Sequence, residues 1–459
     1  MLMGRLCCGY IDRMRRPFSP AELAEALRTA VLDSLAGAPP PDPAPNIDLA
    51  VLVLPAVGAT GAAPVAANLH FSREFPQGRV ADIAAGFGAV RGLHFLADAR
   101  GPDGTSLAWI AGSDWTQLPA STFAPLAGAG EARFIAPYPA SLLKLMVLVG
   151  VARLVDQGRT DWDESWPFAQ ASGALAPTVA QWCEPMIVTS SNEATSALVA
   201  LLHNRGAIRR SGWRVGQPDS GRESHNELHT LFEAQGLATL RLADTKPDGG
   251  WFNRDGAGVG RLQMTAWDTV RLLWRLLAEQ APPAPWLPAD APPLLGADSR
   301  ARIWGWLQGQ ALHERPRADD IRRPPPEGDK QSGQATFACE VLSSTLLAGM
   351  AGWQRGIPAR LPARWLTADG AVLAAGRRYA ADVRPASAAA DAVFLHKTGS
   401  TASYASDAGL VVGDGGRRYL IALLSTLGSR HAPQPGLASP WSLPRLGAAI
   451  DAWLKARIE

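Results

Sequence analysis

The sequence predicts an α+β chain, because strand-like runs stand apart from a helical middle. Two strand-like segments, Leu93 to Ala97 and Ser106 to Ala111, precede a long stretch of helical periodicity. Three more, Ala392 to His396, Ala408 to Val412 and Tyr419 to Leu424, follow it and are closed by an amphipathic helix over Pro444 to Ile458.

Residues 1–90 read as an N-terminal extension of unknown role. Ser19-Pro20-Ala21-Glu22 has the form of a capping box and opens a helix running toward Leu35, which the prolines between Pro39 and Pro45 stop. Asp48 to Val57 is apolar and strand-like. Gly101-Pro102-Asp103-Gly104 then suits the turn of a hairpin between the strands at 93–97 and 106–111. From Ser141 the pattern is helical to Asp156, with Pro139 just ahead of it, where proline is tolerated. Further helices are predicted from Ser191 through Leu202, from Thr265 to Glu279 and from Arg300 to Leu312. Segments 204–224, 281–293 and 314–334 are polar, proline-rich or charged, and read as inserted surface loops. Gly413-Asp414-Gly415-Gly416 is a tight turn between the last two strands. There is no internal repeat.

Composition narrows the function. The net charge is +2, with arginines interleaved among 42 acidic residues, so no nucleic-acid partner is expected. No run of 18 apolar residues occurs, which argues against a membrane span, and the first 20 residues lack the apolar core of a signal peptide. Cysteines at 7, 8, 183 and 339 form no C-x-x-C, which leaves a Cys183–Cys339 bridge as the pairing to test. His225 and His229 stand four apart around Glu227, but the His-Glu-x-x-His order is absent, so they read as solvated helix histidines. No metal and no cofactor are expected.

The strongest signal is the use of lysine. Of 44 basic residues only five are Lys, at 144, 246, 330, 397 and 455. Two of these lie in motifs with chemical content: Ser141-Leu142-Leu143-Lys144 is S-x-x-K and Lys397-Thr398-Gly399 is K-T-G, with Ser190-Ser191-Asn192 as S-x-N between them. With 27 Ser and five Lys in 459 residues, chance predicts about 0.3 S-x-x-K matches, so the argument rests on three motifs occurring in order. On a helix, positions i and i+3 share a face, which puts the Lys144 amine beside the Ser141 hydroxyl. A lysine set among Leu143, Leu145 and Met146 is desolvated, and desolvation lowers its pKa toward that of a usable base.

The other two motifs supply what such a nucleophile needs. Ser190 can relay a proton to a leaving nitrogen, and Asn192 can hold Lys144 and a substrate carbonyl; a plain helix N-cap explains the same residues. Lys397 offers charge to an anionic substrate group and Thr398 a hydroxyl to a carboxylate, while Gly399 lets a substrate backbone approach the strand. The backbone N–H groups of Ser400 and Ser141 would form an oxyanion hole, worth about 3 kcal/mol per donor in acyl transfer.

With these motifs in place, residues 91–459 resemble the serine β-lactamase and penicillin-binding protein superfamily, nearest to class A β-lactamase-like hydrolases. The segments Phe134 to Lys144, Gln263 to Asp268 and His396 to Leu410 carry the likeness. It implies a β-lactamase/transpeptidase-like fold: a five-stranded antiparallel sheet from segments 91–137 and 370–459, flanked by helices, and a helical part over 138–369. It further implies an acyl-serine hydrolase with Ser141 as nucleophile, Lys144 as general base, Ser190 as proton relay, Asn192 as orienting group and Lys397 as electrostatic partner. The substrate would be a small β-lactam or a peptidoglycan peptide.

Two departures qualify the likeness. The middle residue of S-x-N is Ser191 instead of aspartate, and the glutamate that activates the deacylating water is replaced by Lys246 in Lys246-Pro247-Asp248-Gly249-Gly250, which makes Asp248 the stand-in to examine. A D-Ala-D-Ala peptidase or esterase is the alternative reading, and a non-catalytic peptidoglycan-binding module the second. The family works outside the cytoplasm, whereas no export signal is readable, and oligomeric state is not inferable from the sequence.

Overall fold

Residues Ile47 to Leu54 are apolar at every position except Asp48, and the structure shows why: this strand is buried on both faces. Leu49, Val51 and Val53 enter one core, Ala50, Leu52 and Leu54 the other, following the two-residue period of a strand. The computed structural model describes residues 18–36, 44–56, 63–98, 117–168 (except 124 and 129), 176–250 (except 218 and 219), 262–310, 336–337, 348–350, 356–379 (except 362, 375 and 376), 382, 384–428 (except 402) and 438–459.

The main sheet contains β1 (Ile47–Val53), β2 (Val65–Phe71), β3 (Arg79–Val80), β4 (Ala348–Met350), β5 (Ile357–Ala359), β6 (Ala392–Ser400), β7 (Ala405–Gly413) and β8 (Arg418–Ser425). Their lateral order is β4-β5-β6-β7-β8-β1-β2-β3. The six strands from β6 to β3 are antiparallel; β4 and β5 add a short parallel margin that reaches β6 only at Ala392. The sheet is therefore larger than the five strands expected.

Nine helices are described: α1 (Pro20–Leu35), α2 (Lys144–Asp156), α3 (Val179–Val188), α4 (Asn192–Asn204), α5 (Glu227–Ala234), α6 (Ala266–Leu277), α7 (Ala297–Gln308), α8 (Arg384–Ala389) and α9 (Ala438–Ile458). One face of the sheet is covered by α1 and α9 through Leu23, Leu27, Leu446 and Ile450. The opposite face packs on α2, α4 and α6 through Met146, Leu198 and Leu273, among others. The capping box at Ser19 and Glu22 is formed as read, each residue accepting from the other's backbone N–H at 3.2 and 2.7 Å, which typically stabilises a helix start by about 1 kcal/mol.

The region read as an extension is therefore part of the sheet. β1 runs beside β8, pairing Ile47 with Ser425, and α1 packs on α9. The physical reason is long-range pairing, which leaves no local mark in the sequence. Conversely, Leu93–Ala97 forms the expected strand but lies outside the main sheet, paired in parallel with Ala132–Ala136. The expected partner strand at 106–111 and the inserted loop at 314–334 lie outside the described residues, as do Cys7, Cys8 and Cys339. Cys183 is a free, buried thiol, which corrects the bridge considered above.

The 204–224 insertion is an antiparallel hairpin, Ile208–Ser211 against Arg222–Asn226, in place of a loop. His225 belongs to that hairpin and His229 to α5, so the two imidazoles do not share one helical face. Segment 281–293 is tied down by tryptophans: Trp274 Nε1 donates to Pro282 O and Trp286 Nε1 to Gln235 O.

Candidate active site

Ser141 sits at the junction of two elements. A 3-10 turn, Ala140–Leu143, leads into α2 at Lys144, so the S-x-x-K spacing spans the tighter helix, in which residues i and i+3 eclipse. Ala140, immediately before the serine, holds φ at 50°, a left-handed backbone that costs energy for a residue with a Cβ and is characteristic of functional turns.

The K-T-G strand presses on this turn. A Cβ on Gly399 would meet Ser406 Oγ, Pro139 O at 2.5 Å and Leu142 N at 2.8 Å. Ser406 Oγ itself donates to Pro139 O at 2.6 Å. Gly399 thus has a packing role as well: its missing side chain makes room for the serine-bearing turn of the chain itself. Ser400, the following residue, ends β6 beside this turn, and beyond Ala392 no described strand pairs with the outer side of β6.

Two lysines converge on one hydroxyl. Lys144 Nζ donates to Ser190 O at 2.5 Å, Asn192 Oδ1 at 3.0 Å and Ser190 Oγ at 3.1 Å. Lys397 Nζ donates to Gln310 Oε1 at 2.6 Å, Thr398 O at 2.8 Å and the same Ser190 Oγ at 3.1 Å. Lys144 is 1% and Lys397 0% exposed, so each amine is held by protein alone. Burial, followed by the like charge of Lys144, holds the Lys397 amine well below the usual lysine range, while Asp407 opposes this. Among the described residues no hydrogen bond joins the Ser141 hydroxyl to Lys144, whose amine is turned toward Ser190 and Asn192.

Ser190 reaches both amines because of its backbone. Its φ of 58° lies in the left-handed region, just before Ser191 caps α4 by accepting from Ala194 N at 3.1 Å. The capping and catalytic readings of the S-x-N motif thus fall on different residues: Ser191 caps, while Ser190 and Asn192 face Lys144.

The Thr398 side chain and Asp248 are not brought to this cluster, although Thr398 O is. Thr398 pairs with Asp407, whose carboxylate takes His396 Nδ1 at 2.7 Å on the side where His396 stacks on Phe394, opposite Lys397 by strand alternation. Its hydroxyl is fully buried and lacks a hydrogen-bond partner, so it does not present to a carboxylate beside Lys397. Asp248 is exposed and accepts from Gly250 N within its own turn at 3.1 Å. That turn rests on α4, since a Cβ on Gly249 would meet Ser196 O, but no bond of Asp248 among the described residues reaches Ser141, Lys144 or Ser190.

Sequence reasoning missed Gln310 and the His396–Asp407 pair. Gln310 follows α7 in a segment with no motif around it, and only the packing of α7 against β6 brings it to Lys397. His396 adjoins K-T-G in sequence, yet its partner Asp407 lies on the neighbouring strand.

No protein-family profile matches the chain, and no curated protein matches it. Solved structures similar to it include a β-lactamase from Desulfarculus baarsii DSM 2075, at 14% identity and TM-score 0.44, covering 95% of this chain and 99% of its own. PBP-A is similar at 14% identity and TM-score 0.41, covering 94% and 96%. A β-lactamase from Sphaerobacter thermophilus DSM 20745 is similar at 11% identity and TM-score 0.42, covering 94% and 97%.

Proposed function

We propose that this chain is a serine hydrolase that works through an acyl-serine on Ser141 and acts on a β-lactam or a related amide. One observation carries the reading: the Ser190 hydroxyl lies 3.1 Å from each of two buried lysine amines, one of which follows Ser141 by three residues. A hydroxyl accepts one proton and donates another, so Ser190 can pass a proton between Lys144 and Lys397. Two ammonium groups at this spacing repel, which favours a state with one proton fewer.

In the proposed reaction the neutral Lys144 amine takes the Ser141 proton, and Oγ bonds to the carbonyl carbon. The carbon–nitrogen bond then breaks, and the leaving nitrogen takes the Ser190 proton, which is replaced from a lysine. The oxyanion is held by the N–H groups of Ser141 and Ser400. Water adds to the ester in the last step, releasing the acid and restoring the Ser141 proton.

That last step separates two readings. Asp248 is exposed and bonded within its own turn, which favours slow deacylation and a long-lived acyl-enzyme of the penicillin-binding peptidase kind. The test is time-resolved intact mass with excess benzylpenicillin, beside Ser141→Ala, while lactam loss is followed. A transient adduct with steady loss supports β-lactamase turnover and a persistent adduct the peptidase-like reading. No adduct on a folded protein rejects lactam acylation.

A further inference from the structure

We propose that Gln310 is the positioning residue of Lys397: one side-chain amide ties the K-T-G lysine to the loop that carries Ser190 and leaves the lysine a single direction in which to exchange a proton. The proposal rests on the acyl-transfer reading for its use, but the contact it describes can be tested without it.

Gln310 is wholly buried at the end of α7. Its Oε1 accepts from Lys397 Nζ at 2.6 Å, and its Nε2 donates to Val188 O at 3.1 Å. Val188 is the last residue of α3, two before Ser190. The amide therefore spans from β6 to the Ser190 loop.

Hydrogen accounting then decides what Lys397 can do. Two of the three atoms around its Nζ, Gln310 Oε1 and Thr398 O, are carbonyl oxygens, which only accept. The third, Ser190 Oγ, can accept or donate. With both carbonyls taking an N–H, the remaining position on nitrogen, an N–H when charged and a lone pair when neutral, points at Ser190. Removing Gln310 frees the amine to turn and strips Val188 O of this donor.

A neutral amide is also the right chemistry for the position. The charged group facing Lys397 is Lys144 from α2; Asp407 from β7 lies on the other face of the strand, where it holds His396, and acts on Lys397 only through its charge. A glutamate at 310 would lock Lys397 as an ammonium ion; glutamine orients it without fixing its charge.

Five lysines in the chain make the test direct. Lysine labelled with 13C at Cε is followed by NMR across pH in the full-length protein, with the Lys397 signal assigned from Lys397→Met. Gln310→Glu is expected to raise the Lys397 midpoint by about one pH unit or more and Gln310→Met to lower it. Both are expected to slow adduct formation with benzylpenicillin at pH 7 by about tenfold or more. A merely structural role would lower the melting temperature of both variants and leave the midpoint where it was, and that result overturns the proposal. If neither variant folds, Gln310→Asn keeps a buried amide one methylene shorter, and an unmoved midpoint there overturns it equally. Wild-type protein that forms no adduct rejects the acyl-transfer reading for lactams, and the NMR midpoint alone then decides on Gln310.

Discussion

Gly399 and Pro139 are packed so closely that a single methyl group on the glycine would lie 2.5 Å from the proline carbonyl oxygen. The contact joins the K-T-G strand to the turn that presents Ser141, so the two motifs are held as one rigid unit. Gly399→Ala is expected to destabilise the protein by about 1–3 kcal/mol through overpacking and to slow acylation of Ser141 by displacing the turn. Urea unfolding and the rate of adduct formation, measured on the same variant, check both effects.

Lys144→Met removes the amine that follows Ser141 by three residues while keeping a long apolar side chain in the core. Loss of a general base typically costs about a hundredfold or more, and the adduct rate should fall by that amount. Stability should fall as well, because Ser190 O and Asn192 Oδ1 lose a buried donor. An unchanged rate in a folded variant would remove Lys144 from the mechanism.

The buried His396–Asp407 bond of 2.7 Å offers a second lever on the same strand pair. Asp407→Ala leaves the His396 imidazole without its acceptor and is expected to cost about 1–3 kcal/mol in chemical denaturation. His396→Phe keeps the stacking on Phe394 but leaves the buried Asp407 carboxylate short of a donor, and is expected to cost at least as much. Unchanged denaturation midpoints in both variants would contradict this account.

Acid should loosen the helical part before it reaches ordinary carboxylate titration. His203 and His229 are each pushed down to about 4, mainly by burial, from the ordinary 6.5. His229 Nε2 accepts from Leu242 N at 3.1 Å, which only the neutral ring can do. Between pH 6.5 and 4 the unfolded chain therefore binds more protons than the folded one, and stability falls as pH falls, by at most about 1.4 kcal/mol per pH unit for each histidine. Urea midpoints measured from pH 7 to pH 4.5 should decline, and His229→Gln should flatten the slope.

Cys183 is fully buried, and burial pushes its thiol far above the ordinary range. Native protein treated with a maleimide should therefore show Cys183 unmodified on peptide mapping, with labelling only after unfolding. Rapid native labelling at Cys183 would mean that α3 opens locally.

Much of the candidate site was legible in the chain because its parts are local. Ser141 and Lys144 lie one turn apart, and Ser190 precedes a helix start with a recognisable cap, so short-range geometry predicts both placements. The same holds for the capping box of α1 and for the strands β6 to β8, whose apolar periods are continuous. The reading failed where pairing is remote. Residues Ile47 to Phe71 gave no sign that they continue the sheet begun by the last strands, because a strand does not record its neighbour. The K-T-G motif offers the Thr398 hydroxyl to a substrate carboxylate, yet successive residues on a strand point to opposite faces, and Thr398 shares its face with Asp407, its register partner on the next strand.

The sequence by itself determined the turn at Ser141, the two lysines and the serine between them, since these depend on residue type and on spacing within single elements. The tertiary structure decided which groups surround those lysines: Gln310 arrives from the end of α7, Asp407 on the next strand stays on the opposite face with His396, and Asp248 does not arrive at all. Burial is the reason this matters, because a desolvated amine takes its charge and direction from whatever acceptors packing places around it.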